Sequence, residues 1–183
     1  MKQLIVISAP SGAGKTTITK RMLDAHSDTL TFSISATTRT IRNGERDGID
    51  YYFLGKEEFL HKIKENALIE YEEIFGNYYG TLVSEIDRAK LQGKSLIFDI
   101  DVKGGISIRN RFPNDSLLIF IAPPSLEVLR ERLTNRGTES EDVIERRLAR
   151  AQMEMEMASV YDHIVINDDL EKAIGEVERL IFG

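Results

Sequence analysis

The segment at residues 4–17, LIVISAPSGAGKTT, limits the fold more than any other part of this 183-residue chain. It joins a continuous apolar run to a glycine-rich turn and then to a helical pattern that begins at Lys15. A strand that is apolar at every position is buried on both faces, which is typical of a parallel sheet covered by helices. The segment therefore predicts a strand, a tight turn and a helix at the start of an α/β fold.

The alternation of strand and helix patterns continues along the chain. Strand patterns lie at 3–8, 31–35, 95–100, 116–122 and 163–167, and helical patterns at 15–26, 102–111, 125–135, 141–158 and 169–181. This order predicts a parallel sheet with helices on both faces. Residues 36–90 interrupt it with Asn43-Gly44 and Asp47-Gly48, and they predict an inserted lobe of short, largely antiparallel strands with a helix near 57–65. The polar stretch 134–141 predicts a mobile loop.

The composition argues against several classes of protein. With 24 basic and 30 acidic residues, the chain has no excess of positive charge for bulk nucleic-acid binding. It contains 0 cysteines, which excludes a disulfide framework and thiolate zinc sites. No apolar run approaches the roughly 18 residues of a membrane span, and the N-terminus lacks a signal-peptide pattern. We therefore expect a soluble cytoplasmic protein that binds neither nucleic acid nor membrane, either as a monomer or as a homo-oligomer.

The glycine-rich turn has the chemistry of a phosphate-binding loop. Gly12 and Gly14 allow the backbone to approach a ligand closely, and the following helix directs its N–H groups and dipole toward an anion. Lys15 supplies a cation for the β- and γ-phosphates of ATP, and the Thr16 hydroxyl suits Mg²⁺. The loop residues expected to bind ATP are Ala9, Pro10, Ser11, Gly12, Ala13, Gly14, Lys15, Thr16 and Thr17.

Ala9 occupies the position where the strict form of this loop has its first glycine. The residue before a proline is held in the extended region with negative φ, and Pro10 follows Ala9 directly. Position 9 therefore needs no positive φ, and we expect the alanine to leave the loop intact.

The inserted lobe carries polar residues suited to a phosphorylated acceptor. Two arginines, Arg39 and Arg42, and two tyrosine hydroxyls, of Tyr51 and Tyr79, could clamp a phosphate monoester. A glutamate such as Glu70 could accept two hydrogen bonds from the N1 and N2 edge of guanine, an edge that adenine does not offer. Residue chemistry alone leaves open that these tyrosines belong to a core and that these arginines are solvated.

Eight motifs occur in one order: APSGAGKT, TTRTIRNGERDGIDYYF, IEY, GNYYGT, FDIDVKG, FIAPPS, LTNRGTES and INDDL. From about residue 3 to residue 181, the chain resembles the guanylate kinase family of P-loop nucleoside monophosphate kinases, which phosphorylate GMP with ATP. The resemblance implies a single domain with three parts. These are a core at 1–35, 91–133 and 159–183, a GMP-binding lobe at about 36–90, and a lid at about 134–158.

The resemblance also implies roles for individual residues, with Mg²⁺ as the metal that accompanies ATP. The residues implied to hold the GMP phosphate are Ser35, Arg39, Arg42, Tyr51 and Tyr79. Glu70 and Thr81 would read the guanine, with Asp101 as a further base-side or magnesium-network contact. Asp99 ends a predicted strand, where such enzymes place a carboxylate near Mg²⁺ through water, together with Thr16. The residues implied to be catalytic are Lys15, Arg39, Arg132, Arg136 and Arg147, and Asn167 matches a position near the adenine.

Three departures from the family pattern and two other functions remain to be weighed. Ala9 stands in place of the usual glycine, Ile41 where many members have proline, and Ala36 where serine is common; we expect altered rates from these rather than lost function. One alternative is a P-loop kinase for another phosphorylated acceptor, against which Glu70 and Thr81 argue. The other is a catalytically inactive guanylate-kinase-like binding module, which the presence of Gly12, Gly14, Lys15, Arg136 and Arg147 disfavours.

Overall fold

The computed structural model describes residues 1–135, 137 and 140–183. The strands are β1 (Leu4–Ser8), β2 (Leu30–Phe32), β3 (Ser35–Thr37), β4 (Tyr52–Phe53), β5 (Leu68–Ile74), β6 (Asn77–Leu82), β7 (Ser95–Asp99), β8 (Ser116–Ala122) and β9 (His163–Ile166). The α-helices are α1 (Lys15–Ala25), α2 (Lys56–Lys64), α3 (Ser84–Leu91), α4 (Val102–Arg111), α5 (Leu126–Asn135), α6 (Glu141–Met157) and α7 (Leu170–Phe182). In these described ranges, no helix is both long enough and apolar enough to cross a membrane.

The main sheet is parallel and has the strand order β2-β7-β1-β8-β9. Every residue of β1 and β8 is buried, because helices cover both faces of the sheet. On one face, α1 and α7 contribute Ile18, Met22, Ala173, Val177 and Ile181 to the core. On the other face, α3 and α4 contribute Ile86, Ala89, Val102 and Ile108. The predicted α/β fold with a parallel sheet between helices is confirmed.

A second, smaller sheet has the order β4-β3-β6-β5 and packs against α2 through the fully buried Phe59. β6 pairs antiparallel with both β3 and β5, whereas β3 pairs parallel with β4. Gly44 and Gly48 have positive φ values of 89° and 70°, as their turn dipeptides predict. They lie in the long loop between β3 and β4 and do not close a hairpin. The hairpin of this sheet joins β5 to β6 instead.

The prediction of one strand at 31–35 is wrong, because the chain changes sheets within that range. β2 ends at Phe32 in the main sheet and β3 begins at Ser35 in the second sheet. The Ser33 N–H still donates to the Ile97 carbonyl at 2.8 Å, but the Ile34 N–H donates to a glutamate side chain. An alternating pattern reveals strand propensity and cannot reveal a change of partner strand.

The predicted loop at 134–141 and the predicted lobe at 36–90 both differ in part from the structure. The predicted mobile loop at 134–141 is too long, because α5 continues through Thr134 to Asn135. Arg136, Thr138 and Glu139 of that stretch lie outside the described residues. Helix α3 was not predicted, and it packs on the main sheet although it falls within the predicted lobe at 36–90. The division of the chain into core, lobe and lid stays a prediction.

Glu85 connects the two sheets at the point where the chain passes between them. Its side chain is 1% exposed and accepts hydrogen bonds from the Ile34 N–H at 2.7 Å and the Tyr52 hydroxyl at 2.9 Å. It also pairs with Arg88, which contacts the Phe32 carbonyl at the end of β2. One buried carboxylate therefore joins β2, the crossing residue Ile34 and β4.

We predict that Glu85→Ala lowers the free energy of unfolding by about 2–4 kcal/mol, because it leaves the Ile34 N–H without its acceptor and removes the anionic partner of the Arg88 guanidinium. Urea unfolding of the full chain measures this change. The control is Asp87→Ala, an exposed acidic residue on the same helix, for which we expect a loss below about 1 kcal/mol. Equal losses in the two variants would contradict the connecting role of Glu85.

Candidate active site

The phosphate-binding loop lies between β1 and α1, as predicted. Gly12 and Gly14 both have φ of 97°, and Gly14 is the residue that precedes the first turn of α1. Among the described residues other than glycine, Asn66 and Phe75 are the ones with positive φ, so Ala9 has the negative φ that its neighbour Pro10 predicts. The alanine therefore puts no strain on the loop.

Asn167 contacts the phosphate-binding loop and helps to fix its shape. Its side-chain amide donates to the Ala13 carbonyl at 2.7 Å, and a Cβ on Gly14 would lie 2.3 Å from the same amide nitrogen. Arg132 donates to the Asn167 backbone carbonyl at 2.8 Å. Asn167 is 5% exposed, so its amide shapes the loop. A cavity of about 480 Å³ beside this support is lined by Gly12, Gly14, Thr17, Arg132, Asn135, Asn167, Asp168 and Leu170.

The ends of β1 and β7 bring a carboxylate to the loop. Asp99 lies opposite Ile7 in the parallel register, and its carboxylate forms an ion pair with Lys15. Lys15 Nζ also donates to the Ile100 carbonyl at 3.2 Å. Thr16 and Asp99 line one cleft of about 920 Å³ together with the loop. These hard oxygen donors fit Mg²⁺, although no group of three His, Asp or Glu side chains suited to a metal occurs in the described part of the chain.

Helix α6 forms the opposite wall of this cleft. Arg147 donates to the Ser11 hydroxyl of the loop at 2.7 Å, and Arg150 lies 3.5 Å from the Asp101 carboxylate. The α6 residues that line the cleft are Val143, Arg146, Arg147, Arg150 and Glu154. The predicted set omitted Arg146 and Arg150, whose spacing with Arg147 places them near one another on a helix.

The predicted arginines do not all converge. Arg147 lines the 920 Å³ cleft, whereas Arg132 lines the 480 Å³ cavity beside the loop. Arg136 lies outside the described residues. The structure therefore assigns the two described arginines to different surroundings.

In the loop that follows β3, Arg39 lies beside Tyr51 and Tyr79. The Arg39 guanidinium is 5.4 Å from the centre of the Tyr51 ring, and the two tyrosine rings are 6.3 Å apart. Glu45 holds Arg39 through both carboxylate oxygens, at 2.7 and 3.0 Å, and this contact raises the pKa of the guanidinium. Glu45 also accepts the Arg42 backbone N–H at 2.8 Å, whereas the Arg42 side chain is exposed. Glu45 was not predicted, because its contact with Arg39 forms only when the loop is folded.

A second cluster joins Glu70, Thr81 and Asp101. The Thr81 hydroxyl donates to Glu70 Oε1 at 2.7 Å, and Ser35 lies opposite Thr81 in the strand register. A Cβ on Gly104 would lie 3.3 Å from Asp101 Oδ1 and 3.4 Å from Glu70 Oε2, so both carboxylates converge above this glycine. Asp101 also accepts the Gly104 N–H at 2.8 Å at the start of α4.

The pKa of Glu70 is raised from 4.5 to about 7, mainly by burial; the hydrogen bond from Thr81 opposes this shift, and the negative charge of Asp101 adds to it. Glu72 lies two residues further along β5, and burial and the negative charge of Asp101 raise its pKa as well. The predicted set omitted Glu72, although the two-residue period of a strand places it on the same face as Glu70.

The remaining departures from the family pattern lie apart from these contacts. Ala36 is fully buried in the small core of the lobe with Phe59 and Leu68. Ile41 is 52% exposed in the loop that precedes β4. Ala36 therefore packs in the core of the second sheet, and Ile41 lies at the surface, in the loop that also carries Arg39 and Arg42.

We predict that the Glu70 pKa responds in opposite directions to two neighbouring substitutions. Thr81→Val should raise it above about 7 because the valine cannot donate a hydrogen bond, and Asp101→Asn should lower it because a negative charge is removed. A pH titration of the Glu70 carboxyl carbon by ¹³C NMR measures both shifts. A wild-type midpoint near the ordinary value of 4.5 would contradict the buried setting.

Comparisons with known proteins agree on one family. The family model described as guanylate kinase matches residues 1–183. A guanylate kinase of Chlorobium chlorochromatii is 50% identical over 179 residues, which cover 98% of this chain and 94% of that protein. One of Chlorobaculum tepidum is 48% identical, with 98% and 91% covered. The crystal structure of guanylate kinase from Anaplasma phagocytophilum superimposes with a TM-score of 0.75 at 30% identity, covering 98% of this chain and 84% of that one. The chain therefore belongs to the guanylate kinase family.

Proposed function

We propose that this chain transfers the γ-phosphoryl group of ATP to GMP and so forms ADP and GDP. The observation that carries this proposal is the position of Asp101. This carboxylate lines the cleft above the phosphate-binding loop and also converges with Glu70 on Gly104. A triphosphate on the loop and a guanine at Glu70 would therefore share one cleft.

Within this cleft, the phosphate-binding loop holds ATP. Backbone N–H groups of the loop and of the α1 N-terminus face the phosphates, and Lys15 offsets their negative charge. Asn167 and Arg132 act on ATP through the loop that they support and through the cavity beside it. Because Asp99 already pairs with Lys15, both groups are held in place before the substrate arrives.

The lobe holds GMP through its two clusters. The GMP phosphate is bound by Arg39, Arg42, Tyr51, Tyr79 and Ser35. It replaces Glu45 as one partner of Arg39. The ionised Glu70 accepts the N1 and N2 hydrogens of guanine, and Thr81 orients that carboxylate. Asp101 adds a contact on the base side. The reaction needs no protein nucleophile, because the GMP phosphate oxygen itself attacks the γ-phosphorus.

Mg²⁺ is the cofactor that these residues fit. Thr16 would bind it directly and Asp99 through water, and the ion would neutralise phosphate charge when bound. Arg147 on α6 reaches the loop and would stabilise charge on the transferring group, together with Arg136. The two reactants are both anionic, so cationic side chains around the cleft lower the repulsion between them.

These roles fit a division into a core at 1–35, 91–133 and 159–183, a GMP-binding lobe at about 36–90 and a lid at about 134–158, except that α3 packs on the main sheet of the core. The catalytically inactive binding module is disfavoured, because the lysine, the carboxylate and the glycines of the loop are assembled as an ATP site. The absence of cysteine in the sequence supports a cytoplasmic location.

We predict that Glu70→Gln raises KM for GMP by about 10- to 100-fold, because the glutamine amide loses the charge and offers a hydrogen where guanine already donates one. KM for ATP should change less than about threefold. Steady-state kinetics with each substrate varied in turn measure both constants. Glu73→Gln is the matched control, since Glu73 lies on the same strand and is exposed on the other face.

The pH dependence of KM for GMP, compared between the wild type and Glu70→Gln, gives a second test of the role of Glu70. Glu70 accepts both guanine hydrogens only when ionised, so the wild-type KM for GMP should rise by up to about tenfold for each pH unit below 7. The GMP phosphate titrates in both proteins, so the ratio of wild-type to Glu70→Gln values isolates the carboxyl group. A ratio that stays constant between pH 5.5 and pH 8, as bounds of the assay, would contradict the assignment of Glu70 to the base.

A further inference from the structure

The hairpin between β5 and β6 turns through Phe75 and Gly76, which have positive φ values of 49° and 78°. A bulky side chain in the left-handed region is strained, and asparagine or glycine suits such a turn far better. Phe75 is also 100% exposed, so no packing within the fold offsets the strain. An aromatic residue at this tip is therefore unfavourable for folding, and its presence calls for another reason.

The position of Phe75 supplies that reason. It lines the 920 Å³ cleft together with the phosphate-binding loop, Asp99 and the α6 residues Val143 and Arg147. β5 carries Glu70 near its start and ends at Ile74, next to this tip, so the hairpin links the cluster of Glu70, Thr81 and Asp101 to the part of the cleft lined by α6. Phe75 is an apolar residue at a cleft whose other lining residues are mostly charged or polar.

Phe75 also marks the open side of the cleft. Helix α6 already contacts the core, through Arg147 to Ser11 and through Arg150 to Asp101. Phe75 is fully exposed, so it does not pack against α6. Water therefore reaches the loop between the hairpin tip and the helix.

We infer that Phe75 determines the acceptor of the phosphoryl group, by closing on α6 when GMP fills the lobe and excluding water from the cleft. This inference rests on the proposed function. Transfer to GMP breaks the bond between the γ-phosphorus and its bridging oxygen and forms a bond to a GMP phosphate oxygen, giving ADP and GDP. Transfer to water forms a bond to the water oxygen instead, giving ADP, inorganic phosphate and a proton. Closure by an apolar ring suppresses the second reaction.

The test compares Phe75→Asn, which removes the ring and suits the turn, with Phe75→Leu, which keeps an apolar side chain. Leu91→Ala is the control, because Leu91 is 90% exposed at the end of α3 and does not line the cleft. Each full-length protein is given ATP, Mg²⁺ and GMP, and GDP and inorganic phosphate are both quantified. A thermal unfolding curve is recorded for each protein.

For Phe75→Asn, we expect the ratio of inorganic phosphate to GDP to rise about tenfold, while the melting temperature rises by about 2–4 °C as strain is relieved. Phe75→Leu and Leu91→Ala should keep the wild-type ratio. An unchanged ratio in Phe75→Asn contradicts the inference. A raised ratio with a lowered melting temperature also contradicts it, because a loosened fold then explains the access of water. A wild type that forms no GDP contradicts the proposed function instead.

Discussion

The parallel pairing of β1 with β7 is the constraint on which the rest of the site depends. It places Asp99 opposite Ile7, so a carboxylate lies at the edge of the sheet where the chain leaves β1 for the phosphate-binding loop. Because the carboxyl ends of all five strands meet at that edge, Lys15, Asp99 and Asp101 come together although about 85 residues separate the first from the others. The chemistry of the cleft follows from this register.

The second requirement is that the polar cluster around Arg39 and the polar cluster around Glu70 be held apart while the cleft is open. Carboxylates that are withdrawn from water are costly unless they are paired, and the buried Glu85 and the partly exposed Glu45 both have such partners. Glu85 fixes the passage between the sheets and Glu45 holds Arg39, each through short hydrogen bonds to several partners. Among the described residues, Thr81 is the side-chain donor to Glu70, and burial is the main cause that raises the pKa of Glu70 to about 7. Its incomplete pairing is what suits it to accept hydrogen bonds from a ligand.

The features that could be predicted from the sequence are those encoded within a few consecutive residues. The strand, turn and helix around Gly12 and Gly14 are local, and so is the effect of Pro10 on Ala9. The features that could not be predicted depend on contacts between distant segments. The connecting role of Glu85 belongs to this second group, and so does the contact of Asn167 with Ala13, although Asn167 itself was predicted near the adenine; each contact joins residues that are far apart in the chain. The change of sheets at Ile34 was missed for the same reason, since its N–H partner lies 51 residues later.

The central claim is that one cleft aligns ATP with a guanine nucleotide and with no other monophosphate. The most direct measurement is the formation of ADP and of nucleoside diphosphate from ATP and Mg²⁺ with GMP, AMP, CMP and UMP as separate acceptors. We predict stoichiometric ADP and GDP with GMP, and a kcat/KM at least about 10³-fold lower for each of the others, because they leave the buried Glu70 without its partners. Similar rates with all four acceptors, or no GDP from GMP, would contradict the account.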